Sequence, residues 1–155
     1  DFLRNFADKC HHGKEEDNLF PAMEARGFSH DSGPIAVMLS EHEAGREHLR
    51  AMDDAIAAAA AGDPDALRRF GAHGRAYTDL LRQHIAKEDQ VLFVMADRAL
   101  SAEDQARLLA RFERVEVEQM GPDTHSKYLT VAGRLAERFG VPLPAAGACS
   151  CCCGH

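Results

Sequence analysis

Residues 84–93 read His-Ile-Ala-Lys-Glu-Asp-Gln-Val-Leu-Phe, and residues 11–20 read His-His-Gly-Lys-Glu-Glu-Asp-Asn-Leu-Phe. Both stretches follow the pattern H-x-x-K-E-[ED]-x-x-L-F, in which a histidine precedes a glutamate by four residues. In an α-helix this spacing places the two side chains on one face, with their Cβ atoms roughly 5–6 Å apart. The repeated stretch therefore predicts two helices that each carry a histidine–glutamate pair.

The composition around these stretches favours long helices. Ala, Leu, Glu and Arg dominate, and the turn-forming Gly and Pro residues fall at wide intervals. The predicted helices cover residues 1–26, 34–61, 64–98, 101–120 and 123–139. Short connections force neighbouring helices to run antiparallel, so the sequence predicts an all-α fold, an up-down helical bundle, over residues 1–140. Residues 141–155 form a Pro- and Cys-rich tail that we expect to be flexible.

The length and charge of the chain restrict its function. Its 155 residues suffice for one domain with one core. The 18 basic and 25 acidic side chains give a formal net charge of −7, which disfavours binding to nucleic acid or to an anionic membrane. The chain shows no secretory signal and no apolar run long enough to span a bilayer, so we expect a cytoplasmic protein. Asp1 falls inside a predicted helix, and we expect a leading segment to be missing.

Ionisable side chains interrupt the apolar stripes of three predicted helices. The stripe of the third helix passes through His84 and Glu88, that of the second through His42, and that of the first through His11 and Glu15. Buried carboxylates are rare unless a cation compensates them. With a rise of about 1.5 Å per residue, these side chains lie at a similar depth from the turns at one end of the bundle. We therefore interpret them as ligands of one metal site. The apolar members of the stripes are Leu3, Ala7, Leu19 and Met23; Ile35, Met38, Leu39, Leu49, Met52 and Ile56; and Leu67, Phe70, Tyr77, Leu81, Val91, Leu92 and Met95.

Other interpretations of these residues remain open. A single buried histidine is more often a hydrogen-bonded core residue than a metal ligand. In the first helix, His12 with Glu16 is an alternative to His11 with Glu15. His12 follows Asp8 on a polar line of that helix, and we therefore favour His11 with Glu15.

Two further features lie apart from the five candidate ligands. His73 is on the third stripe but lies about 16 Å from His84 along the helix axis, so we interpret it as a core or lid histidine. Cys149 and Cys151 to Cys153 crowd the tail, where thiolates could bind a soft cation or relay electrons. The alternative for these cysteines is a disordered tail without a site.

The motifs as a whole resemble those of hemerythrin-like proteins with HHE cation-binding domains. The residues that carry the resemblance are His11, Glu15, Leu19, Phe20 and Pro21; Glu41, His42, Glu43 and Arg46; and His84, Ile85, Lys87, Glu88, Asp89, Leu92 and Phe93. The resemblance implies a four-helix bundle with two non-haem irons, histidines as terminal ligands and two bridging glutamates. Members of this family have an additional helix before the first motif that donates another histidine. No residue here matches that histidine, so we expect either that the leading helix is missing from these 155 residues or that the bundle is closed in another way.

Histidine and carboxylate ligands without thiolates favour iron or manganese, although zinc also fits. Five ligands leave coordination positions unfilled, so we expect a small ligand. The predicted function is a di-iron protein that binds or senses oxygen, nitric oxide, peroxide or iron itself. The alternatives are a di-iron peroxidase or oxidase and a helical interaction domain without metal. No substrate cleft or proton-donating acid indicates an enzyme, and self-association is expected if the missing helix leaves an apolar side uncovered.

Overall fold

The computed structural model of the chain describes residues 1–120 and 124–142. Every regular element in these ranges is helical. The α-helices are α1 (Phe20–Glu24), α2 (Gly33–Ala60), α3 (Pro64–Lys87), α4 (Phe93–Ala99), α5 (Ala102–Val115) and α6 (Thr124–Phe139). The wider π-helical segments are Leu3–His12, Glu15–Leu19, Glu88–Leu92 and Glu116–Met120. The predicted all-α fold is confirmed, whereas the tail cysteines lie outside the described residues.

The described chain divides into two compact units. One comprises Phe20–Ser101, and the other comprises Asp1–Leu19 together with the described residues from Ala102 onward. None of the described helices is long and apolar enough to cross a membrane.

The centre of the Phe20–Ser101 unit is a hairpin of α2 and α3. The two helices run antiparallel, because Gly45 of α2 lies beside Tyr77 and Met52 lies beside Gly74. A Cβ atom at either glycine would be 3.5 Å from its neighbour on the facing helix, so small residues permit this close approach. The core of this unit includes Phe20, Met23, Ile35, Met38 and Leu92, which are all fully buried.

The turn between α2 and α3 follows the prediction closely. Gly62 has a φ of +91°, a conformation that other residues adopt only with strain. The Asp63 carboxylate then accepts hydrogen bonds from the backbone N–H groups of Asp65 (2.8 Å) and Ala66 (3.2 Å). An N-cap of this kind satisfies amide groups that have no partner inside the helix. The cap therefore determines the residue at which α3 begins.

The apolar stripes differ from the prediction at two places. Near the Gly62 turn, Ile56 and Leu67 are 51% and 61% exposed, because the buried positions there belong to the small residues Ala55 and Ala66. Further along, the predicted continuous helix to residue 98 contains the π-helical segment Glu88–Leu92. A π-helical turn holds an additional residue and rotates the side chains that follow it. Val91 is accordingly exposed, while Leu92 is fully buried.

The other unit contains aromatic contacts and a partly buried ion pair. Tyr128 on α6 lies edge-on to Phe2, with ring centroids 5.7 Å apart, and its hydroxyl donates a hydrogen bond to the Asp1 carboxylate at 3.1 Å. The ammonium of Lys14, which is buried, pairs with Glu116. These contacts join residues near the start of the chain to α6 and to the segment after α5.

Candidate metal centre

Three buried ligand groups converge within the Phe20–Ser101 unit. His42 lies on α2, His84 in the last turn of α3, and Glu88 at the start of the following π-helical segment. Each is at most 3% exposed. The ligand nitrogen and oxygen atoms of these three side chains lie within 4.8 Å of one another. This spacing is compatible with coordination of one metal ion.

The local folding of the two helices explains this convergence. His84 and Glu88 are four residues apart, as the repeated motif predicted, and His84 Nε2 is 2.8 Å from Glu88 Oε1. The antiparallel packing of α2 on α3 places the His42 ring 4.9 Å from the His84 ring, measured between centroids. Phe20 stacks on the other side of His42 at 6.0 Å and forms an apolar wall beside the imidazole.

A carboxylate outside the predicted ligand set orients His84. Glu41 Oε2 lies 3.1 Å from His84 Nδ1, and Lys87 donates a hydrogen bond to the other oxygen of Glu41. When Nδ1–H donates to Glu41, the lone pair remains on Nε2, the nitrogen nearest Glu88. Such pairing of a histidine with a carboxylate is typical of metal-ligating imidazoles.

The charge of Glu41 is maintained by its neighbours. Partial burial opposes its ionisation, but the hydrogen bonds from Lys87 and His84 outweigh that effect, and the pKa of the carboxyl lies below its usual value. Glu41 is therefore an anion near neutral pH and accepts a hydrogen bond from His84 Nδ1–H. Sequence reasoning quoted Glu41 as part of a motif but assigned it no role, because it lies one residue off the apolar stripe.

The donor chemistry fits a divalent transition metal. A carboxylate as deeply buried as Glu88 costs free energy unless positive charge compensates it. Two imidazoles and one carboxylate form the 2-His-1-carboxylate set that non-haem iron uses while keeping positions open for other ligands. The cluster of His42, His84 and Glu88 could therefore hold a metal ion.

The remaining candidate ligands belong to the other unit. Glu15 is 3% exposed and His12 is 5% exposed, whereas His11 is only half-buried. His12 Nδ1 lies 3.4 Å from the carboxylate of Asp8. The π-helical conformation of Leu3–His12 departs from the 3.6-residue period used to choose between the two histidines. The assignment of His11 and Glu15 as metal ligands remains a prediction.

Comparison with known families gives this cluster a context. Residues 1–96, which are more than half of the chain, match the hemerythrin HHE cation binding domain. The chain belongs to this family. Membership confirms the resemblance seen in the motifs and is consistent with a hemerythrin-like helical bundle. The HHE domain implies binding of metal cations, and the matched region contains His42, His84 and Glu88.

Similarity over most of this chain extends to mycobacterial proteins. The uncharacterized protein Rv1995 of Mycobacterium tuberculosis and the uncharacterized protein Mb2018 of Mycobacterium bovis are each 29% identical to this chain over 139 residues. The match covers 90% of this chain and 54% of each relative. The HHE chain therefore spans about half the length of the curated relatives it matches. No solved structure matches it significantly.

Proposed function

We propose that this HHE domain is a non-haem di-iron protein that binds or senses oxygen or a related small ligand, namely nitric oxide, peroxide or iron itself. The observation that carries the proposal is the buried convergence of His42, His84 and Glu88. Two imidazoles and one carboxylate suit iron and leave coordination positions available. Manganese and zinc accept the same ligands, so the measured metal content is the decisive quantity.

The second half of the ligand set comes from the first motif. We assign Glu15 to it together with one of two adjacent histidines: the repeat aligns His11 with His84, whereas burial favours His12. The repeated pattern supports this assignment, because Glu15 occupies the position of Glu88 in the first copy. The burial of Glu15 supports it further, since a buried carboxylate needs compensating charge. In this proposal the glutamates would hold iron through carboxylate oxygens and the histidines through imidazole nitrogens.

The residues around the cluster prepare it for a small ligand. Bound iron would supply a redox-active centre with coordination positions open to a diatomic molecule or peroxide. The Glu41 carboxylate holds the His84 ring in one orientation. Phe20 covers one face of His42 and limits the access of water to that side. The protein groups thus orient the ligands and keep their surroundings apolar.

The test is metal analysis together with an optical spectrum after aerobic purification. We expect two irons per chain and a charge-transfer band that changes on addition of oxygen, nitric oxide or peroxide. His84→Ala should lose iron, while His30→Ala should retain it because His30 is an exposed side chain paired with Glu24. Equal iron content in the two variants, or zinc as the main metal, would contradict the proposal. Sustained turnover of peroxide would instead favour the peroxidase alternative.

A further inference from the structure

A second pair of histidines meets between α2 and α3, apart from the candidate metal centre. His48 Nδ1 on α2 lies 3.0 Å from His73 Nδ1 on α3, and the ring centroids are 5.3 Å apart. Both side chains are half-buried. Partial burial between two packed helices restricts the rotamers of each ring, so less entropy is lost when the rings bind a common ion.

This pair is too far from the first cluster to share an ion with it. His48 follows His42 by six residues, or about 9 Å along α2, and His73 precedes His84 by eleven residues, or about 16 Å along α3. Among the residues that the structure describes, no group of three or more histidine, cysteine or carboxylate ligands includes His48 or His73. Any ion held here would complete its coordination with water or with another type of donor.

A thioether side chain, that of Met52, lies on the same part of the α2–α3 hairpin as the pair. Met52 follows His48 by one helical turn on α2, and its Sδ would be 3.5 Å from a Cβ atom placed on Gly74, the residue after His73. Because Gly74 has no side chain, the sulfur can lie close to the backbone of α3. Imidazole nitrogen with thioether sulfur is a donor combination that copper accepts readily, because thioethers select soft metal ions.

The distance between the two nitrogens is also compatible with a copper ion bound to both. With metal–nitrogen bonds of about 2.0–2.1 Å, nitrogens 3.0 Å apart would subtend roughly 91–97° at the metal. That is the angle between neighbouring ligands in square-planar or tetragonal Cu²⁺. Tetrahedral zinc would separate the same atoms by about 3.3–3.4 Å. The separation therefore allows both nitrogens to bind one ion, and the thioether of Met52 on the same part of the hairpin favours copper as that ion.

We propose that His48 and His73 form a second metal site, selective for copper, on the α2–α3 hairpin. Both imidazoles bind through Nδ1, so the ring that carries its proton on Nδ1 gives up that proton and takes one from solvent on Nε2, and both rings remain neutral ligands. This site is independent of the di-iron proposal, because its ligands and its position on the hairpin are different.

The test is a titration of the iron-loaded, full-length protein with Cu²⁺, followed by electron paramagnetic resonance. Cys149 and Cys151 to Cys153 are changed to serine in every sample, because thiolates compete for copper. We expect one Cu²⁺ per chain with a tetragonal spectrum and hyperfine coupling to two nitrogens. His48→Gln and His73→Gln keep a polar group of similar size. Each should weaken this copper binding at least tenfold, since loss of an outer-shell partner alone costs roughly 10–100-fold.

Matched controls separate this site from other copper ligands. His30→Gln removes an exposed histidine elsewhere in the same unit and should leave the copper stoichiometry unchanged. Iron content and helical circular dichroism are measured on each variant to establish that it folds. If wild-type and both glutamine variants bind the same copper with equal affinity, the pair is only an N–H···N hydrogen bond. The test compares copper affinity between wild type and variants, so its result remains valid if the candidate metal centre holds no iron.

Discussion

Glu41 on α2 accepts a hydrogen bond from His84 on α3, with 3.1 Å between Oε2 and Nδ1. The contact joins the two helices of the hairpin beside the candidate metal centre. It also determines which ring nitrogen of His84 remains available, because a proton held on Nδ1 leaves the lone pair on Nε2. Lys87 pairs with the same carboxylate and keeps it charged. Glu41 is thus a positioning residue for His84 rather than a metal ligand.

Glu41→Gln should weaken metal binding without unfolding the chain. The amide is similar in size but carries no charge, so it holds the imidazole less firmly. Loss of an outer-shell partner typically lowers metal affinity by roughly 10–100-fold. Competition with a chelator measures this change. Glu43→Gln is the matched control, because Glu43 lies on the other side of His42 in sequence, is exposed and pairs with Arg50. Equal affinities in the two variants would show that the Glu41 contact does not support the site.

Glu88→Gln should remove most of the stabilisation that metal gives to the folded chain. A metal that binds only the native state raises the melting temperature, and this rise depends on the affinity of the site. We expect wild-type protein to melt at a clearly higher temperature with ferrous iron than after chelation, whereas Glu88→Gln should show little difference. Thermal melts followed by circular dichroism measure both states. The exposed Glu103→Gln serves as the control and should behave like wild type.

The same experiment tests whether a bound metal compensates the buried carboxylate of Glu88. If Glu88→Gln retains the full metal-dependent rise in melting temperature, the carboxylate is not a ligand, and another group must compensate its buried position.

The helix boundaries were predictable because the glycines that end or begin the helices act through their local backbone conformation. Gly27, Gly33 and Gly62 all adopt positive φ, and each lies at the end or start of a helix where the prediction placed a turn. The π-helical segments were not predictable in the same way. Their i→i+5 hydrogen bonds depend on tertiary packing, and no residue type in Leu3–His12 marks them. This explains why the predicted stripe shifts at Val91 and Leu92, inside the π-helical segment Glu88–Leu92.

The candidate metal centre was partly visible in sequence. His42, His84 and Glu88 interrupt apolar stripes, and burial of such groups is costly enough to be informative. Glu41 and the His48–His73 pair were not visible, because their roles depend on which residues face one another across α2 and α3. That register follows from close packing at Gly45 and the Asp63 cap, which a single-helix period cannot describe.

Lys14→Ala should destabilise the unit that contains it. The Lys14 side chain is 7% exposed and pairs with the carboxylate of Glu116, which is 31% exposed. Its ammonium also lies 5.7 Å from the centroid of the Phe112 ring. Alanine removes this pair together with the packing of the long aliphatic stem, so we expect a loss of about 1–3 kcal/mol in the free energy of unfolding.

Chemical denaturation measures this loss, and Lys14→Met provides the comparison. Methionine preserves most of the volume of the stem without the charge, and replacing an ion pair by apolar packing is often close to neutral. We therefore expect Lys14→Met to retain more stability than Lys14→Ala. Equal losses in both variants would attribute the effect to the ion pair and not to the packing of the stem.

The last prediction concerns the nitrogen ligand from the first motif. The repeat with residues 84–88 aligns His11 with His84, but burial favours His12, which is 5% exposed. Metal ligands in a dry site are expected to be buried, so His12→Ala should lower iron content more than His11→Ala does. Iron per chain and chelator competition are measured for both variants, with Glu15→Gln as the positive reference. If His11→Ala alone loses iron, His11 is the nitrogen ligand, as the repeat with residues 84–88 predicts, and the burial of His12 has another cause.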